Sequence, residues 1–371
     1  MNKNIITFVF QSGRTSRINN EKEEFSKEFF YSYQNFKTEF DKVNLIEFDN
    51  PKSFFNLITR PLFKALRYLT TIPFYCENIQ SIKNYRILFN SDEIIFTNQR
   101  VAFSSMPMLL LSSIFKKKRS TVFIMGLFVE QSKNTVRKFF RLNFIKLLVK
   151  ISSNLIFLSS SEKELASSIF PKNKEKMFFL PFPVDTFFWD KEKAKNNSKN
   201  TILFIGNDGK RDYELVTNIA KEMVHCNFIF VSKQIDKKLL SENVELLEGK
   251  WADNKITDSD IRDIYNNSIL SIIPLKNSHQ PSGQSVALQS MSMKVPVIIS
   301  KTSGFWDYTK FSNEENIVFI DGSKTKDWVN KIEYLISNQN LRNNISESAF
   351  KTIEQDYTLE KFYSSFKEIV F

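Results

Sequence analysis

Two stretches of the chain combine residue types that can hold an anion. In FIGNDGKRDYELV (204–216), Gly206 and Gly209 frame a short loop after an apolar run, and Lys210 and Arg211 lead into a helical pattern with Asp212 beside them. Cationic side chains next to the unbonded N–H groups of a helix start favour phosphate-like charge. In IIPLKNSHQPSGQSVALQSMSMKVPVIIS (272–300), a strand pattern runs into a loop holding His279 and Gly283, and a helix starts at Gln284 or Ser285. Gln289 lies one turn on, on the face shared with Ser285. Neither stretch is a Walker loop or a GxGxxG fingerprint. A diphosphate with an attached ribose fits two such loops on one sheet edge, so a nucleotide is the simplest ligand.

The glycines narrow the position of these loops. The 371 residues contain only eight, Gly13, Gly126, Gly206, Gly209, Gly249, Gly283, Gly304 and Gly322. All fall near the ends of strand patterns or in the loops that follow, where open α/β sheets bind ligands. The elements that deliver them alternate. Strand patterns at 5–10, 43–48, 93–97, 121–125 and 155–158 occupy the first half, with helical patterns at 21–40 and 60–86, the latter interrupted by Pro73. A capping box, Ser161 with Glu164, predicts the start of a further helix. The second half reads strand 201–206, helix 211–224, strands 227–232 and 243–249, helix 258–267, strand 269–274, helix 284–293, and strands 295–300 and 316–321. Continuous apolar strands separated by helices predict parallel, doubly wound sheets. LPFPVDTFFWDKEKAKNNSKN (180–200), with two prolines and a polar run, predicts the boundary between two Rossmann-like domains.

Composition excludes several classes. An apolar fraction of 42% and a Gly content this low are incompatible with a disordered or collagen-like chain. Cys76 and Cys226 are the only cysteines, so neither a disulfide framework nor a cysteine zinc site is expected, and a reducing, cytoplasmic setting is. The N-terminal apolar run is too short for a secretory signal, and no stretch reaches the ~20 apolar residues of a membrane span. The formal net charge of +11 is unevenly placed: residues 1–185 hold 28 basic and 16 acidic side chains, and residues 60–150 alone hold 16 and 4. KKKR at 116–119 and RKFFRLNFIKLLVK at 137–150 interleave cations with Phe and Leu, as a helix lying on an anionic membrane does. No nucleic-acid motif accompanies the charge, so no nucleic-acid partner is expected.

The second half resembles the donor domain of GT-B glycosyltransferases, in the large retaining group with an E-x7-E donor motif. GQSVALQSMSMKVPVI (283–298) is similar to that group's Gly-containing loop, helix and PV strand, FLPFPVDTFFW (179–189) to its interdomain segment, and YTLEKFYSSFKEI (357–369) to its closing helix. The resemblance implies two Rossmann-like domains facing each other across a cleft, with an acceptor domain over 1–185, a nucleotide-sugar domain over 186–355 and a helix over 356–371 returning to the first. It implies transfer of a sugar, from a UDP-sugar or else a GDP-sugar, to a glycan or lipid-linked acceptor in cell-surface polysaccharide or glycolipid assembly, without a metal or other cofactor. It assigns Lys210 and Arg211 to catalysis, and Gly206, Asn207, Gly283, Gln284, Ser285, Gln289 and His279 to the donor. Gly13, Arg14 and Gly126 fall on the acceptor side, Gly126 near the place of a histidine that the group often carries. Asn207 stands where the group has its first Arg, Pro281 and Gln289 where it has its two Glu, and Lys294 where it has Gly before PV. These departures leave an alternative, a catalytically silent relative that binds a sugar nucleotide or glycan as a partner subunit.

Overall fold

The computed structural model describes residues 4–19, 25–49, 54–115, 118–128, 134–195, 201–249 and 256–371. The chain divides into two compact units. The first comprises Met1–Asn20, Phe29–Leu180 and Tyr363–Phe371, and the second Glu21–Glu28 and Pro181–Phe362.

The first unit runs β1 (Ile5–Phe10), α1 (Thr15–Ile18), α2 (Tyr33–Glu39), β2 (Lys42–Glu47), α3 (Phe54–Thr70), α4 (Ile82–Asn90), β3 (Glu93–Phe96), α5 (Gln99–Phe115), β4 (Arg119–Ile124), α6 (Thr135–Ile151), β5 (Asn154–Phe157), α7 (Ser160–Ile169) and β6 (Met177–Phe179). Its six strands are parallel, in the order β2-β1-β3-β4-β5-β6. The central strands are rich in Ile, Val and Phe and buried along most of their length, because helices cover both faces of the sheet. Phenylalanine supplies much of the filling: Phe8 and Phe36, both fully buried, meet each other edge to face, and Phe8 meets Tyr33 in the same way. Burial of each such ring contributes about 1.5–3 kcal/mol. The C-terminal residues of the chain join this packing, Phe366 against Phe36 and Phe123.

The second unit runs β7 (Thr201–Ile205), α8 (Tyr213–Glu222), β8 (Asn227–Val231), β9 (Val244–Leu247), α9 (Asp258–Asn266), β10 (Ser268–Ile273), α10 (Gln284–Ser292), β11 (Val297–Ser300), β12 (Val318–Ile320), α11 (Thr325–Ser337) and α12 (Gln339–Asp356). The last helix, α13 (Leu359–Val370), begins in this unit and ends among the residues of the first. The sheet is again fully parallel, in the order β12-β11-β10-β7-β8-β9. Alternate strand residues feed two apolar clusters, Leu203 and Ile273 on one face and Ile202, Phe204 and Ile272 on the other. Because β8 and β9 extend the sheet to one side of β7, and β10 to β12 to the other, the strand order reverses between β7 and β10. That reversal opens a crevice at their carboxyl ends.

Several local expectations change. The helix expected over 21–40 is only α2 and a single 3-10 turn at Glu28–Phe30, with residues 20–24 outside the described set, because Tyr31 and Ser32 adopt positive φ of 48° and 59°. The expected capping box at Ser161 is replaced by a cap two residues earlier: Ser159 Oγ accepts the N–H of Glu162, whose own side chain leaves for the loop after β4. Arg211 lies before α8, since Asp212 caps that helix by accepting the N–H of Leu215 at 3.1 Å. The apolar stretch at 106–115 belongs to α5, and no helix among the described residues is long and apolar enough to cross a membrane. Lys116 and Lys117 of the basic run lie outside the described residues, and the other two are not on an interfacial helix: Arg119 opens β4, and Lys118 is buried with its Nζ donating to Ser91 O at 2.7 Å.

Candidate functional site

The loops after β7 and β10 meet where the strand order reverses. The N–H of Asp212 donates to Pro274 O at 3.0 Å and that of Lys276 to Lys210 O at 2.9 Å, with Arg211 and Leu275 forming a bridge between them. The first loop is shaped by Asp208, whose Oδ1 accepts the N–H groups of Lys210 at 2.8 Å and Arg211 at 3.1 Å. Its Oδ2 receives the Arg211 guanidinium at 3.0 Å, and Arg211 Nε donates to Ile205 O at 3.3 Å. Arg211, 3% exposed, therefore lies flat across Gly206, where a Cβ would stand 2.6 Å from its Cγ and Nε.

Gly283 closes the second loop. Its φ of +83° excludes most side chains, and a Cβ there would meet Ile273 Cγ2 at 2.8 Å and Arg211 Nη1 at 3.7 Å. The structure thus brings Gly206, Arg211 and Gly283 together. Gly283 is the N-cap of α10, with no side chain capping the first turn, so the helix directs uncompensated N–H dipoles toward the crevice. Two flanking buried groups, Ser282 Oγ and Gln284 Nε2, have no hydrogen-bond partner among the described residues. Buried polar groups are ordinarily satisfied, and each one left unmet costs about 1–3 kcal/mol. A helix start, a guanidinium, a hydroxyl and an amide form a recess suited to an anion. Ser285 is half-buried in the same first turn, and Lys210 is half-buried.

The remaining expected donor residues are placed differently. Asn207 spends its amide on the backbone, donating to Gly249 O at 3.1 Å and accepting from Lys233 N at 2.7 Å, which ties β7 to the loops after β8 and β9. His279 is exposed, its backbone carbonyl packs on Gly304, and no hydrogen bond joins it to Arg211 or Gly283 among the described residues. Gln289 is buried, with Nε2 donating to Glu28 Oε1 at 2.9 Å and Oε1 accepting from Tyr265 Oη at 3.4 Å.

Glu28 is the residue that sequence reasoning misses. It arrives on the segment Phe25–Glu28, which belongs to the second unit. The N–H and Oγ of Ser26 both donate to Asp258 Oδ2 at 2.9 Å, the N–H of Lys27 donates to Asp185 Oδ2 at 3.0 Å, and Trp189 Nε1 donates to Glu28 Oε1 at 2.8 Å. Burial, with Asp185 and then Asp258 nearby, pushes the Glu28 carboxyl up to about 8 even though Gln289 favours the charged form. No local pattern announces a contact spanning 261 positions. Asp208 had a readable signal, the turn-forming Asp-Gly pair directly before the two cations.

In the first unit, Gly13 and Gly126 end β1 and β4 with φ of 88° and 78°. The Arg14 N–H is held by Glu47, burial lowers the Arg14 guanidinium to about 10, and its side chain lies 6.0 Å from the Phe29 ring. The N–H of Gly126 donates to Glu162 Oε2 at 2.7 Å and that of Phe128 to Oε1 at 3.1 Å. Glu162, pushed up to about 7 by burial, is the acceptor that shapes this loop.

Residues 185–352, which include both anion-facing loops, match the family model of glycosyl transferases group 1. That segment is similar to a group 1 glycosyltransferase domain, and the chain as a whole has the GT-B fold. A glycosyltransferase from Rickettsia africae is 15% identical, with 100% of this chain and 98% of that chain covered and a TM-score of 0.67. Sucrose-phosphate synthase from Thermosynechococcus elongatus is 12% identical, covering 99% and 98%, with a TM-score of 0.68. HepE from Anabaena, solved in complex with UDP and glucose, is 12% identical, covering 98% of each chain, with a TM-score of 0.63. At such identities these structures establish the two-domain GT-B architecture. No curated protein matches the chain significantly.

Proposed function

We propose that this GT-B chain transfers a sugar from a nucleotide-sugar donor, a UDP-sugar first and a GDP-sugar second, to a glycan or lipid-linked acceptor in cell-surface polysaccharide or glycolipid assembly. The observation that carries the reading is the recess at the start of α10, where Ser282 Oγ and Gln284 Nε2 are buried without partners among the described residues, beside Arg211 and an uncapped helix. The donor's diphosphate fits it. Cleavage of the anomeric C–O bond leaves growing negative charge on that diphosphate, and donors already oriented toward the charge stabilise it more in the transition state than in the ground state. Lys210 and Arg211 contribute the cationic part, Gly206 leaves room for the Arg211 side chain, and Gly283 lets the backbone approach. We assign Ser285 and Gln284 to the phosphates, His279 to the rim of the donor loop, and Gly13, Arg14 and Gly126 to the acceptor side. The reading includes a retaining reaction without a metal ion, carried out in the cytoplasm at the inner face of a membrane. HepE, bound to UDP and glucose, supports the choice of UDP.

The second reading, a silent sugar-nucleotide binder, is favoured by the engagement of Arg211 with Asp208 and of Gln289 with Glu28. Release of nucleoside diphosphate from UDP-, GDP- and ADP-sugars, with and without EDTA, separates the two. Turnover with a UDP-sugar that EDTA leaves unchanged is the expected result. Saturable binding with no turnover across the panel establishes the silent reading instead.

A further inference from the structure

The two longest basic helices of the first unit carry apolar residues on their exposed sides as well as on their buried ones. On α3, Phe63 and Thr70 are buried, whereas Leu62, Ala65, Tyr68 and Leu69 recur at helical spacing on the opposite, exposed face. On α6 the buried stripe is Arg141, Ile145, Leu148 and Val149, and Val136, Phe139 and Phe140 project outward. Tyr68 is 68% exposed and Phe139 65% exposed. The helices are neighbours: Arg141 Nη1 donates to Thr71 O and Oγ1 at 3.1 Å at the end of α3, and the Arg137 guanidinium lies 4.0 Å from the Tyr68 ring centre. Their exposed apolar groups therefore belong to one surface.

The charge that the two helices contribute to it has a single sign. Neither α3 nor α6 contains an acidic residue, while Arg60, Lys64 and Arg67 lie on the first and Arg137, Lys138, Arg141, Lys146 and Lys150 on the second. Arg67 is neutralised by Glu77 at 2.8 Å, and Arg141 turns inward. Lys64, Lys138, Lys146 and Lys150 remain at the border of the apolar patch, exposed and without a carboxylate partner among the described residues. A protein partner of ordinary composition leaves so much uncompensated positive charge desolvated at cost. An anionic bilayer accepts both components, rings and aliphatic groups at the acyl boundary and ammonium groups among the phosphates.

We propose that the paired outward faces of α3 and α6 form the surface by which this protein docks on anionic phospholipid membrane. The proposal gives residues to the membrane-surface part of the function proposed above, and its test uses no donor, so failure of either leaves the other standing. The full chain is mixed with phosphatidylcholine vesicles containing about 30% phosphatidylglycerol, or none, and floated at about 0.1 M and about 0.5 M salt. Binding is expected to anionic vesicles at the lower salt and to fall severalfold at the higher. Lys64→Glu/Lys138→Glu should weaken partitioning by at least tenfold, since each cation near such a surface contributes about fivefold. Tyr68→Ser/Phe139→Ser, at exposed positions that leave the thermal midpoint unchanged, should weaken it comparably at both salts. Absence of wild-type flotation overturns the proposal. So does flotation of both double variants at wild-type level, or a concentration-dependent dimer in sedimentation that Tyr68→Ser/Phe139→Ser dissolves.

Discussion

Arg211 is held by its own chain before any ligand arrives, by Asp208 and by the carbonyl of Ile205. Pre-orientation of this kind lowers the cost of ordering a long side chain on binding and fixes the guanidinium beside Gly283. Arg211→Ala should lower kcat/KM for the donor at least tenfold, the expected loss for a charge-assisted contact of about 1.5–3 kcal/mol, with the thermal midpoint recorded alongside. Gln289 supports a sharper test. Gln289→Glu writes the residue that the group 1 resemblance expects, but here it would set a second carboxyl against buried Glu28. Two carboxylates sharing one buried site cannot both ionise cheaply. The single variant should lose stability as pH rises from 6 to 8 in urea titrations, and Glu28→Gln/Gln289→Glu should recover it. A Gln at position 289 was legible in the sequence as a departure. Its physical reason was not, because Glu28 belongs to a distant segment with no periodic pattern of its own.

At the level of elements, the strands were legible because parallel strands buried on both faces leave unbroken Ile, Val and Phe runs, and the start of α10 at Gln284 was legible because Gly283 precedes it. Boundaries decided by side-chain bonding were less so. Asp212 takes the capping role and leaves Arg211 outside α8, and Ser159 displaces Ser161 because the Glu162 side chain is needed elsewhere. Gly283→Ala tests the element that builds the recess. A Cβ forced to φ +83° and 2.8 Å from Ile273 should cost about 1–3 kcal/mol of stability by urea unfolding and weaken UDP binding by isothermal titration. In the first unit, Glu162→Ala leaves the Gly126 and Phe128 N–H groups without their acceptor, and a loss of about 1–3 kcal/mol is expected there as well.

Among the described residues, four buried carboxyls share one direction, Asp185 being raised along with Glu28, Glu93 and Glu162. Glu28 is raised to about 8, and Glu93 and Glu162 to about 7, in each case mainly by burial. The folded protein keeps these protons at pH values where the unfolded chain, titrating near 4.5, has released them. Stability from these groups is therefore full below about 4.5 and is lost as pH rises through about 7 and then 8. Midpoints for the wild type should fall across pH 5 to 8, and Glu28→Gln should flatten the upper part of that fall. The charge asymmetry was legible as numbers of Lys and Arg in residues 60–150. Its distribution over the outward faces of α3 and α6 was not, because helical spacing alone cannot say which stripe meets the core.

The segment Phe25–Glu28 also sets a timetable for synthesis. Its partners Trp189, Asp258 and Gln289 leave the ribosome long after it does, by roughly 10–50 s for the last of them at about 5–20 residues per second. Throughout that interval the nascent chain presents Ser26 and Glu28 unpaired. The first unit waits longer still for Phe366, so the two units mature in overlapping order rather than one after the other.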